Sequence, residues 1–333
     1  MDCAGRIPPC LVPGSSPRRR PVNRGSKGRV SVVMPFLDPP VAFMREAIES
    51  VLGQSYPDWE LWLVNDGSGE DSVALAREYA RRYPERIRYL EHDGARNRGH
   101  SASRNIAIRE ARGEYIALLD ADDLWLPGKL GEQLAIMRSF PEIGSVYGNT
   151  LYWFSWSARP EDRSLDFVPP LGVPLDSVSL PPKVLASMVS GAATVPCTCS
   201  LLVRRSLLDE SGGFEEAFTG LFEDQVFYTK VFLRAPVYVA SQCWDRYRRH
   251  SVSLCATASP EDAVAGRRKF LHWVREYLLQ TSIDDGSVRQ AVLRGLWELD
   301  HPWGARVLRT GRRARRLSHR VAAWLSDPAR ELG

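Results

Sequence analysis

Between residues 29 and 139 the chain repeats one pattern four times: a short apolar run, a polar turn, then apolar residues at helical spacing. The runs cover 30–34, 61–64, 87–90 and 115–119, and the helical stretches about 41–52, 71–83, 101–111 and 126–139. Strands that read as unbroken apolar runs are buried on both faces, and strand–helix alternation supplies the helices that cover them. The expected core is therefore a mostly parallel sheet between helices. Local punctuation agrees. Pro35 stops the first run, and Pro39-Pro40 opens a helix whose residues Val41, Met44, Ile48, Val51 and Leu52 share a face. Gly113 is expected to end the third helix.

Such sheets bind ligands beyond the carboxyl ends of their strands. Asp38, Asp66, Asp120 and Asp122 all fall just after an apolar run. Farther along, 147–182 is rich in proline and aromatic residues and is expected to form loops with irregular strands. A helix is expected over 184–189, a strand over 197–203, a helix over 222–233 and a short strand over 237–240. From about residue 261 the pattern is helical to the end, with Trp273, Trp297, Trp303 and Trp324 along it. Beyond the strand–helix alternation there is no internal sequence repeat.

No run of about 18 apolar residues is present, so no spanning helix is expected, and the N-terminus lacks the apolar middle of a secretory signal. The six cysteines are scattered, which suggests free thiols in a reducing, cytoplasmic setting. Cys197 and Cys199 are expected to share one face of a core strand. A net charge of +4 is too small to imply nucleic acid. Its placement says more: Arg18-Arg19-Arg20 lie near one end, Arg312, Arg313, Arg315, Arg316 and Arg320 near the other, and the middle is nearly balanced. Leu317, Val321, Trp324 and Leu325 share a helical face among those last arginines, which suits peripheral contact with an anionic membrane or ordinary packing.

Asp120-Ala121-Asp122-Asp123 is the sharpest chemical signal. Carboxylates crowded at a strand end repel one another unless a cation joins them, and Mg²⁺ or Mn²⁺ would bridge them to a diphosphate. The chain has neither G-x-x-x-x-G-K-[ST] nor G-x-G-x-x-G, so a glycine cradle is not available to phosphates. Asp66 can accept from a base or ribose, although Asp-Gly is also a turn signal. The stretch 97–105 leads small residues and Arg104 into a helix. Glu223-Asp224 opens another helix, where an anion is stabilised, either as a cap or as a proton acceptor. His250 is a candidate ligand for metal or diphosphate.

The ordered set resembles glycosyltransferase family 2, inverting enzymes of the GT-A fold. It comprises Val30-Ser31-Val32-Val33-Met34-Pro35, then 46–61, Asn65-Asp66-Gly67-Ser68, 97–105 and Leu118-Leu119-Asp120-Ala121-Asp122-Asp123. The resemblance implies a Rossmann-like, mostly parallel sheet with a C-terminal helical extension. The resemblance covers about 29–253 and implies a nucleotide-sugar half (29–125) and an acceptor half (126–255); outside it, composition suggests a disordered basic tail (1–28) and the pattern a helical region (256–333). It puts Pro35, Asp38, Asp66, Arg104 and Asp120 on the donor, Asp122 and His250 on the metal, and Asp224 at the catalytic base. The expected reaction moves a sugar, with inversion, from a nucleotide-diphosphate sugar to an acceptor hydroxyl, using Mg²⁺ or Mn²⁺. A UDP-sugar is the expected donor, the acceptor is a sugar, a lipid-linked compound or another hydroxyl compound, and the setting is polysaccharide or other glycoconjugate synthesis. The chain departs from the family at Leu37 and Asp38, where an aromatic residue and Asn are usual, and at Asn65, which is often Asp. A catalytically silent nucleotide-sugar-binding or scaffold subunit is the alternative. A dinucleotide oxidoreductase is disfavoured by the missing glycine fingerprint.

Overall fold

The computed structural model describes residues 28–302 except Ser282 and Asp284. The N-terminal tail and the basic segment after residue 302, with its amphipathic pattern, lie outside the described residues.

The first half alternates as the sequence implies. It runs β1 (Val30–Phe36), α1 (Val41–Leu52), β2 (Trp59–Asn65), α2 (Glu70–Arg82), β3 (Ile87–Glu91), α3 (His100–Glu110) and β4 (Tyr115–Leu118). Next come a two-residue β5 (Leu124–Trp125), α4 (Lys129–Ser139) and β6 (Ser145–Trp153). The second half adds β7 (Ser177–Ser179), α5 (Lys183–Val189), β8 (Leu202–Arg204), α6 (Arg205–Ser211), α7 (Glu223–Phe232) and β9 (Val237–Arg248). It closes with α8 (Leu254–Thr257), α9 (Pro260–Thr281) and α10 (Gly286–Asp300).

All nine strands join one sheet in the order β3-β2-β1-β4-β8-β6-β9-β5, with β7 on the side of β9. The β3-β2-β1-β4 part is parallel, with Val30 beside Trp59 and Val33 beside Leu118. β8 then runs antiparallel to both β4 and β6, while β6 and β9 are parallel. Every residue of β1, β2 and β4 is buried, the physical reason they read as mostly apolar runs, and the buried Ser31 Oγ donates to Glu60. Alternate side chains feed two cores. Val33, Trp62 and Val64 pack toward one face with residues of α5, α7, α9 and α10. Val32, Met34, Leu61 and Leu63 pack toward the other with α1, α2 and α4.

Three expectations are corrected. The strand expected over 197–203 is a 3-10 turn, Thr198–Ser200, followed by the short β8. The short strand expected over 237–240 continues for 12 residues. Its later part is polar because Arg248 is buried with hydrogen bonds to Asp122, Asp123 and Glu46, and Asp245 is buried near the charge of Lys129. Gly113 does not end α3, which stops at Glu110 with Ala111 beyond it. Glycine is needed there because a Cβ would lie 2.6 Å from the backbone nitrogen of Ser31.

Candidate functional site

The turns after β1, β2 and β4 converge on one cleft. After β1, Asp38 takes a left-handed conformation (φ 44°), which Asn and Asp tolerate best among residues with a Cβ. That explains why Asp can stand where the family usually has Asn. Its Oδ1 accepts from the backbone N–H of Gly69 at 2.7 Å, and its own N–H donates to Ser68 Oγ. After β2, the side-chain oxygen of Asn65 accepts from the N–H groups of Gly67 and Ser68, a turn that an amide closes as well as a carboxylate. Gly67 is left-handed and a Cβ there would meet Asn97 N at 2.8 Å.

This turn aims Asp66, which is 1% exposed. Its Oδ1 accepts from the N–H groups of Arg98 (2.7 Å) and Gly99 (3.1 Å). Its Oδ2 is buried with no partner, although Asp66 lines the cleft. A buried acceptor left without a donor costs about 1–3 kcal/mol, a cost that a ligand N–H or O–H would remove.

An ion-pair chain holds the centre. Arg104, on α3, is fully buried; its Nη1 donates to Glu223 Oε1 (2.5 Å) and its Nη2 to Asp120 Oδ1 (2.8 Å). Thr198 Oγ1 donates to the other oxygen of Asp120, and His100 Nδ1 stands 3.7 Å from Glu223 Oε1. Burial pushes the Asp120 carboxyl up, but Arg104, His100 and Thr198 outweigh it and hold it below its ordinary value. Glu223 behaves alike: burial raises it, yet Arg104 and His100 bring it down overall. Asp224, the next residue, has no such partner. Burial raises it to about 6, helped by Glu223 and Asp120 and opposed by the Gln225 N–H and Arg104.

Beside this chain, His250 Nε2 meets Asp122 Oδ2 at 2.9 Å, while the buried His250 Nδ1 has no partner. Arg248 fixes the loop that carries Asp122. Its Nε donates to the Asp122 carbonyl, its backbone N–H to Asp123 Oδ1, and its Nη2 pairs with Glu46 at 2.6 Å. The guanidinium sits between the rings of Phe43 and Trp153.

Behind the loop, Asp123, Cys197 and Cys199 hold their donor atoms within 4.8 Å of one another, with Cys199 Sγ 2.9 Å from Asp123 Oδ2. Contact with Cys199 lowers the Cys197 thiol, but burial beside Asp123, Asp245 and Asp120 prevails and raises it to about 12. Burial, Cys197 and Asp123 raise Cys199 as well. These are protonated thiols facing a carboxyl, with Cys197 just before the 3-10 turn and Cys199 within it rather than on a shared strand face. All four described cysteines are free.

Two cavities open along the cleft. One, of about 390 Å³, is lined by Pro35, Leu37, Asp38, Asp66, Asp120, Asp122 and His250 among others. The second, of about 300 Å³, is lined by Arg104, Asp120, Asp122, Tyr152, Thr198, Glu223, Asp224 and Tyr247 among others. The structure thus brings Pro35, Asp38, Asp66, Arg104, Asp120, Asp122, Asp224 and His250 to these two cavities. Arg104 differs in one respect: both its terminal nitrogens are already committed to carboxylates. Sequence reading missed the pairing of Glu223 with Arg104, the contacts of His100 and Thr198, and the Arg248 clamp. The Arg104–Glu223 contact spans 119 positions, so no local spacing could reveal it.

Comparison with known proteins fixes the family. The profile of "Glycosyl transferase family 2" matches residues 31–212, more than half of the chain. The chain belongs to glycosyl transferase family 2. It is 35% identical over 130 residues to the putative glycosyltransferase EpsE of Bacillus subtilis, covering 39% of this chain and 46% of EpsE. It is 30% identical over 229 residues to an uncharacterized glycosyltransferase of Rickettsia felis, covering 67% of this chain and 34% of that protein. The chain therefore spans less than half the length of these two relatives. Solved GT-A structures share the fold at 19% identity. S. aureus TarS 1-349 in complex with UDP-GlcNAc has a TM-score of 0.60, covering 83% of this chain and 73% of that one. The mannosyltransferase PcManGT of Pyrobaculum calidifontis, in complex with GDP-Man and Mn²⁺, has a TM-score of 0.56 and covers 91% and 82%. The family sheet, with its helical C-terminal region, is the fold observed.

Proposed function

We propose that the chain transfers a sugar from a nucleotide-diphosphate donor to an acceptor hydroxyl by one in-line displacement with inversion. The observation that carries this reading is the contrast between Glu223 and Asp224, which face one cavity with Asp120 and Asp122. Neighbouring carboxyls pushed in opposite directions divide into a permanent anion and a proton acceptor. Glu223 stays ionised and anchors Arg104 and His100. Asp224, raised to about 6, is ionised at neutral pH yet basic enough to take the acceptor proton.

The first cavity would hold the donor. Asp66 Oδ2 is the free acceptor for a base N–H, and Asp120 faces the ribose, with Pro35, Leu37 and Asp38 as walls. Arg104 acts by positioning Asp120 and Glu223. The second cavity would hold the acceptor near Asp224. There the acceptor oxygen bonds the anomeric carbon and its proton passes to Asp224. The bond to the diphosphate breaks, and its electron pair leaves with the nucleoside diphosphate.

Asp122 and His250 fit a divalent cation. Their 2.9 Å separation matches neighbouring ligands of an octahedral ion, about 3 Å apart when each is about 2.1 Å from it. Asp122 and His250 would hold such an ion, and with only two protein ligands it would stay open to phosphate oxygens and water, as Mg²⁺ commonly is. Such an ion supplies charge stabilisation to the diphosphate. TarS with UDP-GlcNAc and PcManGT with GDP-Man and Mn²⁺ support a nucleotide-sugar partner and a divalent cation. The donor expected is a UDP-sugar and the setting glycoconjugate synthesis in the cytoplasm. A lipid-linked or other hydroxyl acceptor would be met at the inner membrane face. In this reading 29–125 forms the donor half and 126–255 the acceptor half, and the described residues beyond them carry α9 and α10. A thermal-shift screen of UDP- and GDP-sugars with and without Mn²⁺ tests it. One nucleotide sugar should raise the melting temperature only with the ion, and no response to any would reject the proposal.

A further inference from the structure

The two cavities meet at a ring of residues that line both: His100, Asp120, Asp122, Gly220, Ser253 and Leu254. If donor and acceptor occupy these cavities as proposed above, on which this inference rests, the bond that breaks lies inside this ring. The departing diphosphate gains negative charge there. Two of the six residues are carboxylic acids, and His100 is the one of the six whose side chain can carry a positive charge.

The geometry holds the imidazole in place. His100 begins α3, and its Nδ1 is 3.7 Å from Glu223 Oε1 with 34% of its side chain exposed. Glu223 is itself fixed by Arg104 and Ser101. An Nδ1–H turned toward Glu223 leaves Nε2 as the nitrogen available to a ligand. Burial works against a charged ring and Arg104 adds to that, but Glu223 and Asp120 prevail and raise its pKa.

We propose that His100 is a catalytic residue that donates a hydrogen bond from Nε2 to the donor diphosphate and stabilises its charge as the sugar departs. The His100 proton stays on the ring. The electron pair of the broken bond goes to the phosphate oxygen, and the acceptor proton goes to Asp224. The ligand recognised is the diphosphate, so a nucleoside monophosphate should gain little from His100.

Isothermal titration of UDP, UMP, GDP and GMP into the full chain with Mn²⁺ provides the test, comparing the wild type with His100→Ala and His100→Gln. The preference for diphosphate over monophosphate should fall about 10- to 100-fold in His100→Ala, the range of one hydrogen bond to a charged group. Monophosphate affinity should be unchanged, and His100→Gln, which keeps an N–H without charge, should fall between. A merely structural role would weaken both nucleotides alike. If His100→Ala fails to fold, His100→Gln carries the comparison. An unchanged preference in a folded variant that still binds nucleotide would overturn the role of His100 alone. A wild type that binds none of the four would overturn the proposed function and this inference with it.

Discussion

Glu223 and Asp224 are adjacent, yet only Glu223 is paired, with Arg104 and His100, and in the proposed function the pair divides into an anchor and a proton acceptor. The division has two consequences with definite signs. A base must be ionised to work, so kcat/KM should climb as pH rises through about 6 and level off above it. A profile flat from pH 5 to 8 would remove Asp224 from the role. Stability runs the other way. The folded carboxyl titrates near 6 and its ordinary value is 3.8, so between these the folded chain holds the extra proton. This group's contribution to stability is present at low pH and is lost as pH rises from about 4 to about 6. Asp224→Asn should therefore melt about 2–5 °C higher than wild type at pH 7.5, with the gain vanishing near pH 4. A variant that melts lower at pH 7.5 would mean that the ionised carboxyl is stabilised by contacts this account lacks. Much of this site was legible because Asp38, Asp66, Asp120 and Asp122 follow strands. The Asp224 environment was not, since it depends on Arg104 and Asp120, more than 100 positions away.

At the scale of elements, the turns can aim their carboxylates only if β1 and β4 stay in register. Gly113 guards that register: its N–H donates to Ser31 Oγ, and the space its Cβ would need is taken by Ser31 and the Arg29 carbonyl. Gly113→Ala should cost about 1–3 kcal/mol in urea denaturation, as overpacking does. A change below about 0.5 kcal/mol would show that the strands part freely there. The four strand–helix units were readable because burial on both faces leaves strands one composition. β9 was not, because its polar residues are buried through distant partners: Arg248 pairs with Glu46, which is 202 positions away. β8 was misjudged because Cys197 and Cys199 look like core residues at strand spacing, whereas their thiols face Asp123 across a turn.

Over the whole molecule, charge and cleft point in different directions. Residues 28–302 hold 30 Lys+Arg against 37 Asp+Glu, so this stretch is acidic rather than nearly balanced, and the excess of basic charge lies outside it. Among the described residues no helix is long and apolar enough to cross a membrane. If the basic C-terminal segment supplies membrane contact, the full chain should float with anionic vesicles in low salt, and a chain ending at Thr310 should not. Equal flotation of both would exclude the segment as the anchor. The cleft brings together distant parts of the chain, and in the proposed function its task is to place Asp224 beside a donor held through Asp66, Asp120 and Asp122. The most direct test compares wild type and Asp224→Asn for binding of UDP- and GDP-sugars with Mn²⁺, and for release of the nucleoside diphosphate from the sugar that binds. The variant should bind that sugar nucleotide as the wild type does and release nucleoside diphosphate at least about 100-fold more slowly. Release at the wild-type rate would contradict the account.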